Sequence, residues 1–256
     1  NVILAYGMET AFFRFYNKEK DKSQVVFTST WSILATTVGF VLLAYLAFTE
    51  LQSFTRIDSQ NLELIIWILA LDALAIIPFA WLRANSRPVK FAIIKTLNVA
   101  VNLGLNVFFL VYLKDLAESS ALMNSIYIPD FEVSYIFISL IVASGLTLLL
   151  LTPFYYRIQL QFNWKLWKSM MKYALPVLIA GLAFSVNEVV DRLFLERMLP
   201  EGIAKEQIGI YSACYKLGMF MTLFATAFRL GIEPFFFSHA SSKNPKNAYA
   251  MITKYF

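Results

Sequence analysis

Long apolar runs separated by short polar segments dominate the chain. Six complete runs, near residues 26–49, 62–83, 91–113, 134–156, 173–195 and 208–236, have the length that an α-helix needs to cross about 30 Å of hydrocarbon. The alternation of polar and apolar residues that marks a membrane β-strand is absent. The pattern predicts an all-α, polytopic transmembrane helix bundle. Because shortened apolar runs occupy 1–15 and 251–256, we interpret the chain as an internal fragment of that bundle.

Composition supports the same class of protein. Hydrophobic residues make up 59% of the 256 residues and charged residues only 15%, which is too apolar for an ordinary soluble surface. The chain has one cysteine, Cys214, and one histidine, His239, and it lacks a G-x-x-x-x-G-K-[ST] phosphate-binding loop. We therefore predict a protein that is not an enzyme, with no catalytic residues, no metal site and no cofactor.

The net charge of +5 is sorted by loop rather than spread along the chain. This sorting points to a membrane partner and not to nucleic acid, and the positive-inside rule places the cation-rich loops in the cytoplasm. The cations on that side are Arg14, Lys18, Lys20, Lys22, Arg83, Arg87, Lys90, Lys95, Arg157, Lys165, Lys168, Lys172, Lys243, Lys246 and Lys254. The opposite loops carry the acids Glu50, Asp58, Glu63, Asp115, Glu118, Asp130, Glu132, Glu196, Glu201 and Glu206, with few cations.

The segment before the fifth run combines aromatic and basic residues. Trp164, Trp167, Met170 and Met171 recur at helical spacing, and lysines fall mostly between them. The spacing predicts an amphipathic helix lying on the inner membrane surface, with an ordinary basic loop as the alternative.

A weak internal repeat suggests two related halves. Gly-Met-Glu-Thr-Ala-Phe-Phe at 7–13 aligns with Gly-Ile-Glu-Pro-Phe-Phe-Phe at 231–237, and six spans separate the two copies. Because six is an even number, both copies enter the membrane in the same direction, which favours parallel six-helix lobes. We assign 1–156 to the remainder of an N-terminal lobe, 157–172 to a cytoplasmic amphipathic linker and 173–256 to the beginning of a C-terminal lobe.

Polar residues within the predicted spans are the candidate site residues, because ionisable groups in hydrocarbon cost about 2.5 to 3.5 kcal/mol each. Asp72 lies near the centre of its span and either lines a cavity or bonds a neighbouring helix. Asn98, Asn102 and Asn106 project within about 60° of one another at 100° per residue. This amide stripe binds sugar hydroxyls or packs against another helix.

The last two spans hold further charged residues. Glu188 and Arg192 are spaced i, i+4 and are predicted to pair, with Asp191 beside them near the outer end. Arg229 and Glu233 form a second predicted pair near the inner end. The remaining candidates are Lys216, deep in the same span, and Arg14, at the inner end of the first shortened run.

Four motifs are distinctive: Tyr-Gly-Met-Glu-Thr-Ala-Phe-Phe-Arg-Phe-Tyr at 6–16, Val-Asp-Arg-Leu-Phe-Leu at 190–195, Ile-Gly-Ile-Tyr-Ser-Ala at 208–213, and Phe-Arg at 228–229 with Glu-Pro-Phe-Phe-Phe at 233–237. Together they resemble the Wzx-type polysaccharide biosynthesis proteins of the multidrug/oligosaccharidyl-lipid/polysaccharide exporter superfamily. The resemblance implies two six-helix lobes that open alternately to each side of a bacterial inner membrane. It also implies a cavity in which Arg14, Arg192, Lys216 and Arg229 meet anionic cargo.

That cargo would be an oligosaccharide on undecaprenyl pyrophosphate, moved outward for O-antigen, capsule or exopolysaccharide synthesis. Membrane lipids and polysaccharide assembly proteins are the further partners that the resemblance implies. An ion-coupled multidrug exporter with the same helix plan is the main alternative, and Asp72 and Glu188 favour it. A membrane-embedded polymerase or ligase is a weaker alternative, because no long loop of catalytic size is present.

Overall fold

The computed structural model describes residues 2–55, 57–119, 121–129, 131–156 and 160–239, and these residues form an all-α bundle without strands. The helices are α1 (Val2–Ala5), α2 (Met8–Lys18), α3 (Lys22–Leu46), α4 (Phe48–Thr55), α5 (Ser59–Ala84), α6 (Pro88–Val107), α7 (Leu113–Ser119), α8 (Ala121–Ile126), α9 (Glu132–Tyr155), α10 (Trp164–Met198) and α11 (Glu201–His239). Phe108–Tyr112 forms a π-helical segment that joins α6 to α7 without a break.

Six helices in the described residues are long and apolar enough to cross a membrane, which confirms the six predicted spans and the architecture of a multi-pass membrane protein. Helices are the expected form, since backbone N–H and C=O groups have no water to bond in hydrocarbon. The spans are Lys22–Leu46, Ser59–Ala84, Pro88–Ser119, Glu132–Tyr155, Trp164–Arg192 and Glu206–Pro234.

Two segments differ from their predicted form. The first shortened run is not one helix, because Tyr6 and Gly7 both have positive φ angles and separate α1 from α2. The amphipathic segment beginning at Trp164 is helical, but it is the start of the 35-residue α10 and not a separate surface helix. The last shortened run, 251–256, lies outside the described residues.

The chain divides into two compact units. The first contains Ile3–Ala5 and Ser23–Trp167, and the second contains Val2, Tyr6–Lys22 and the described part of Lys168–Phe256. The predicted first lobe included 6–22, whereas these residues group with the second unit. The lobe assignment itself stays a prediction.

In the first unit, α5, α6 and α9 pack around an apolar core. Phe79 and Leu82 of α5 meet Ile94 of α6 and Leu151 of α9, and all four are buried. Pro88 starts α6 at a position where the missing N–H is not needed for helix bonds. The core therefore fixes these three helices side by side, with their polar residues at defined heights.

In the second unit, α2 packs against α10 and α11. Met8, Phe12 and Phe13 of α2 are fully buried. A Cβ atom built on Gly7 would lie 2.5 Å from the carbonyl oxygen of Ala174 and 2.8 Å from the Cβ of Val177, both in α10. This close approach, together with a φ of 73°, explains why glycine is needed there.

The two copies of the predicted repeat do not share the left-handed backbone conformation of Gly7. Gly231 lies inside the continuous helix α11, its φ is negative, and nothing described lies within 4 Å of a Cβ built there. The two aligned glycines thus occupy different backbone conformations.

Candidate functional site

Asp72, near the middle of α5, contacts α9. Its Oδ1 atom accepts a hydrogen bond of 2.7 Å from the hydroxyl of Ser144. The residue is half-buried. A carboxylate that accepts from a hydroxyl on the next helix costs less to place in a span than one that faces acyl chains. The contact favours the helix-bonding interpretation of Asp72 over a purely cavity-lining one.

The asparagines of α6 do not act as one stripe. Asn98 donates from Nδ2 to the hydroxyl of Thr147 on α9 at 2.9 Å. Asn106 instead donates to the backbone and side-chain oxygens of Asn102, both at 2.8 Å, within α6. Asn98 therefore joins two helices, while Asn102 and Asn106 form a local pair one turn apart.

Further polar contacts connect α5 to both ends of α9. Ser134 donates to Oδ1 of Asn61 at 2.7 Å, and the hydroxyl of Tyr155 donates to the carbonyl of Leu74 at 2.7 Å. With Asp72 and Ser144 between them, these pairs are distributed along the length of α9. The interface between α5 and α9 is therefore a packed one in which hydrogen bonds between polar side chains, or to backbone carbonyls, join the two helices.

The second unit holds a cluster of charged and aromatic residues between α10 and α11. Oε2 of Glu188 accepts from the hydroxyl of Tyr215, and Oδ2 of Asp191 accepts from the hydroxyl of Tyr211, both at 2.8 Å. The two tyrosine rings stack with centroids 6.0 Å apart. The guanidinium of Arg192 lies 5.2 Å from the ring centroid of Tyr215, within the range of a cation–π contact. We call Glu188, Asp191, Arg192, Tyr211 and Tyr215 the carboxylate–tyrosine cluster.

Glu188 and Arg192 contact each other through the backbone of Glu188. Nη1 of Arg192 donates to the backbone carbonyl of Glu188 at 3.3 Å, while the carboxylate is taken by Tyr215 of α11. The i, i+4 spacing brings the two residues together as expected. Oε2 of the carboxylate accepts from the hydroxyl of Tyr215 on the neighbouring helix.

The predicted Arg229–Glu233 pair, at the inner end of α11, stays a prediction. Arg229 and Lys216 are exposed, and Glu233 is half-buried. Arg14 of α2 is exposed as well, and its guanidinium lies 4.3 Å from the ring centroid of Tyr173 on α10. A shared cavity for these residues stays a prediction.

Sequence reasoning missed the hydroxyl partners of the candidate residues. Tyr211 lay inside one of the family-like motifs without being assigned a role, and Tyr215 follows it by one helical turn. Ser144 and Thr147 carried no signal, because small hydroxyl residues are common in membrane helices. The sequence did contain one indication of these contacts. Tyr211 and Tyr215 are spaced i, i+4 on the span that follows the helix with Glu188 and Asp191.

Comparisons with protein-family models, curated proteins and solved structures found no match to this chain.

Proposed function

We propose that this chain is part of a non-enzymatic membrane transporter. In this proposal, it flips undecaprenyl-pyrophosphate-linked oligosaccharide from the cytoplasmic to the periplasmic leaflet of a bacterial inner membrane, for O-antigen, capsule or exopolysaccharide synthesis. The supporting observation is the carboxylate–tyrosine cluster within two apolar spans. The charged residues lie in the last turns of the span Trp164–Arg192. Charged residues within apolar spans are costly, and in membrane proteins they mark substrate or ion pathways.

The chemistry of the second unit suits a cargo with an anionic diphosphate and many hydroxyls. Arg192 and the exposed cations Arg14, Lys216 and Arg229 would attract the diphosphate, and this attraction is strengthened by low-dielectric surroundings. Tyrosine rings and hydroxyls would contact sugars. The prenyl tail would stay in lipid. The resemblance of the four motifs supports the choice of cargo, and two alternately open states would move it only if affinity or a gradient favours one side.

An ion-coupled multidrug exporter is the second candidate. Glu188, Asp191 and Asp72 are three carboxylates within or beside apolar spans, and a cationic drug would be attracted to them. Asp72 and Glu188 each accept a hydrogen bond from a hydroxyl of a neighbouring helix, and carboxylates inside apolar spans are the feature that supports this candidate.

The test uses the full-length protein in its host. Arg192→Ala and Arg229→Ala should each reduce surface polysaccharide several-fold while the protein stays in the membrane, and Arg197→Ala is the matched control. Arg197 is exposed in the last turn of α10, beyond the apolar span. Normal polymer from both variants would overturn the proposal. Loss of drug resistance with normal polymer would support the second candidate instead.

A further inference from the structure

Two recesses in the first unit share the side chains of Arg87 and Lys90. One recess opens between α5 and α9, where Trp81 and Phe154 line it, and Leu150 belongs to both recesses. The recesses lie where α5 ends at Ala84 and α6 begins at Pro88. The charge pattern places this end of the helices at the cytoplasmic surface. Arg87 and Lys90 therefore lie between the two recesses, at the level of the lipid headgroups.

The second recess is apolar along its length. Val89, Ile93 and Leu97 line it at a spacing of four residues, so they form one row along α6. Val89 is 68% exposed and Ile93 is 61% exposed. A row of exposed aliphatic side chains leading away from two cations matches the shape and polarity of an acyl chain below a phosphate.

The two cations are available for a ligand. Both side chains are exposed, and the guanidinium of Arg87 lies 5.4 Å from the ring centroid of Trp81, within the range of a cation–π contact. Within the described residues, neither Arg87 nor Lys90 has an acidic partner. Arginine binds phosphate through two parallel N–H groups, and lysine adds a point charge.

We propose that this pair of recesses, here called the Arg87–Lys90 groove, binds an anionic diacyl phospholipid of the cytoplasmic leaflet. The phosphate lies at Arg87 and Lys90, and one acyl chain follows Val89, Ile93 and Leu97. Basic pockets between membrane helices on the cytoplasmic side are suited to anionic headgroups. A zwitterionic headgroup fits less well, because the described residues that line the groove include two cations and no acid that could pair with its ammonium group. The proposal does not depend on the transport function.

The experiment is native mass spectrometry of the purified full chain, released from nanodiscs that contain equal amounts of phosphatidylglycerol and phosphatidylcholine. The wild type should retain phosphatidylglycerol over phosphatidylcholine, and Arg87→Gln with Lys90→Gln should reduce this preference by about 10-fold or more. The control Lys18→Gln with Lys20→Gln removes two exposed cations from the same predicted side and should leave the preference unchanged.

A second variant tests the acyl-chain part of the groove. Ile93→Trp fills the exposed row without changing charge or the buried core, so it should lower retention of phosphatidylglycerol while the helix content stays normal. The proposal is overturned if the Arg87 and Lys90 variant keeps the preference, or if the control variant loses it equally. Displacement of the lipid by inorganic pyrophosphate at matched concentration would also overturn it, since that result would identify a soluble-phosphate site.

Discussion

Gly7 connects a short sequence motif to a packing requirement. It initiates α2 with a φ of 73°, and the backbone of α10 at Ala174 passes close to it. Any larger residue there meets two separate penalties: a left-handed backbone, which costs about 1 to 2 kcal/mol, and overlap of its Cβ with a backbone oxygen that cannot rotate away. The conformation of Gly7 therefore sets the direction in which α2 begins and allows α2 to pack close to α10.

Replacing Gly7 by alanine should destabilise the protein by about 1 to 2 kcal/mol or more, for the reasons above. Gly231→Ala is the matched control, because Gly231 lies in a helix with open space around it and alanine favours helix by up to about 1 kcal/mol. Thermal unfolding of both variants in detergent, followed by intrinsic tryptophan fluorescence, measures the difference. Equal midpoints for the two variants would contradict the role of Gly7.

At the scale of helices, hydropathy predicted the spans but not the contacts between them. The length of an apolar run reports the thickness of the bilayer, and six runs sufficed to locate six helices. Hydropathy does not report which face of a helix meets another. The hydroxyl partners of Asp72, Asn98 and Glu188 come from helices 27 to 72 residues away along the chain and were invisible for that reason.

The start of α10 shows a second limit. Trp164 and Trp167 stack with centroids 4.6 Å apart, and Nε1 of Trp167 donates to the hydroxyl of Ser32 in α3 at 2.8 Å. Their spacing predicted a helix correctly. The spacing did not show that the helix continues into the span. The same pattern of lysines occurs in a separate surface helix and in the first turns of a spanning helix, because lysines lie at the membrane surface in both.

The Asp72–Ser144 contact leads to a prediction about helix association. A double-mutant cycle with Asp72→Ala and Ser144→Ala should give a coupling energy of about 0.6 to 1.7 kcal/mol, which is the range for hydrogen bonds between membrane helices. Asp72→Asn should retain stability, because its side-chain oxygen can still accept the bond. Unfolding in sodium dodecyl sulfate mixed with mild detergent measures each value.

Ser139→Ala is the control for that cycle, since the Ser139 hydroxyl donates to the carbonyl of Tyr135 in its own helix. It should not couple to Asp72→Ala. If Asp72 and Ser144 show no coupling, the bond does not hold α5 to α9. If Asp72→Asn keeps full stability yet abolishes transport by the full-length protein, the carboxylate has a functional role in addition to its structural one.

At the scale of the whole molecule, the membrane orientation is predicted from charge and not from packing. Every second loop along the chain is rich in cations. This alternation is consistent only with the predicted number of spans and with the predicted direction of each span. Four exposed serines at or near the ends of the spans allow the orientation to be tested without altering any charge. Ser86 and Ser169 lie on the predicted cytoplasmic side, and Ser53 and Ser119 lie on the opposite side; all four are exposed.

After Cys214 is replaced by alanine, each of these serines is changed singly to cysteine in the full-length protein. A membrane-impermeant maleimide added to cells with a permeabilised outer membrane should label the cysteines at 53 and 119. The cysteines at 86 and 169 should react only after the inner membrane is opened. The physical reason is that lysine and arginine resist translocation, which holds their loops on the cytoplasmic side. Labelling of 86 together with 53 in intact inner membranes would mean that α5 does not cross the bilayer, and the six-span architecture would then be wrong.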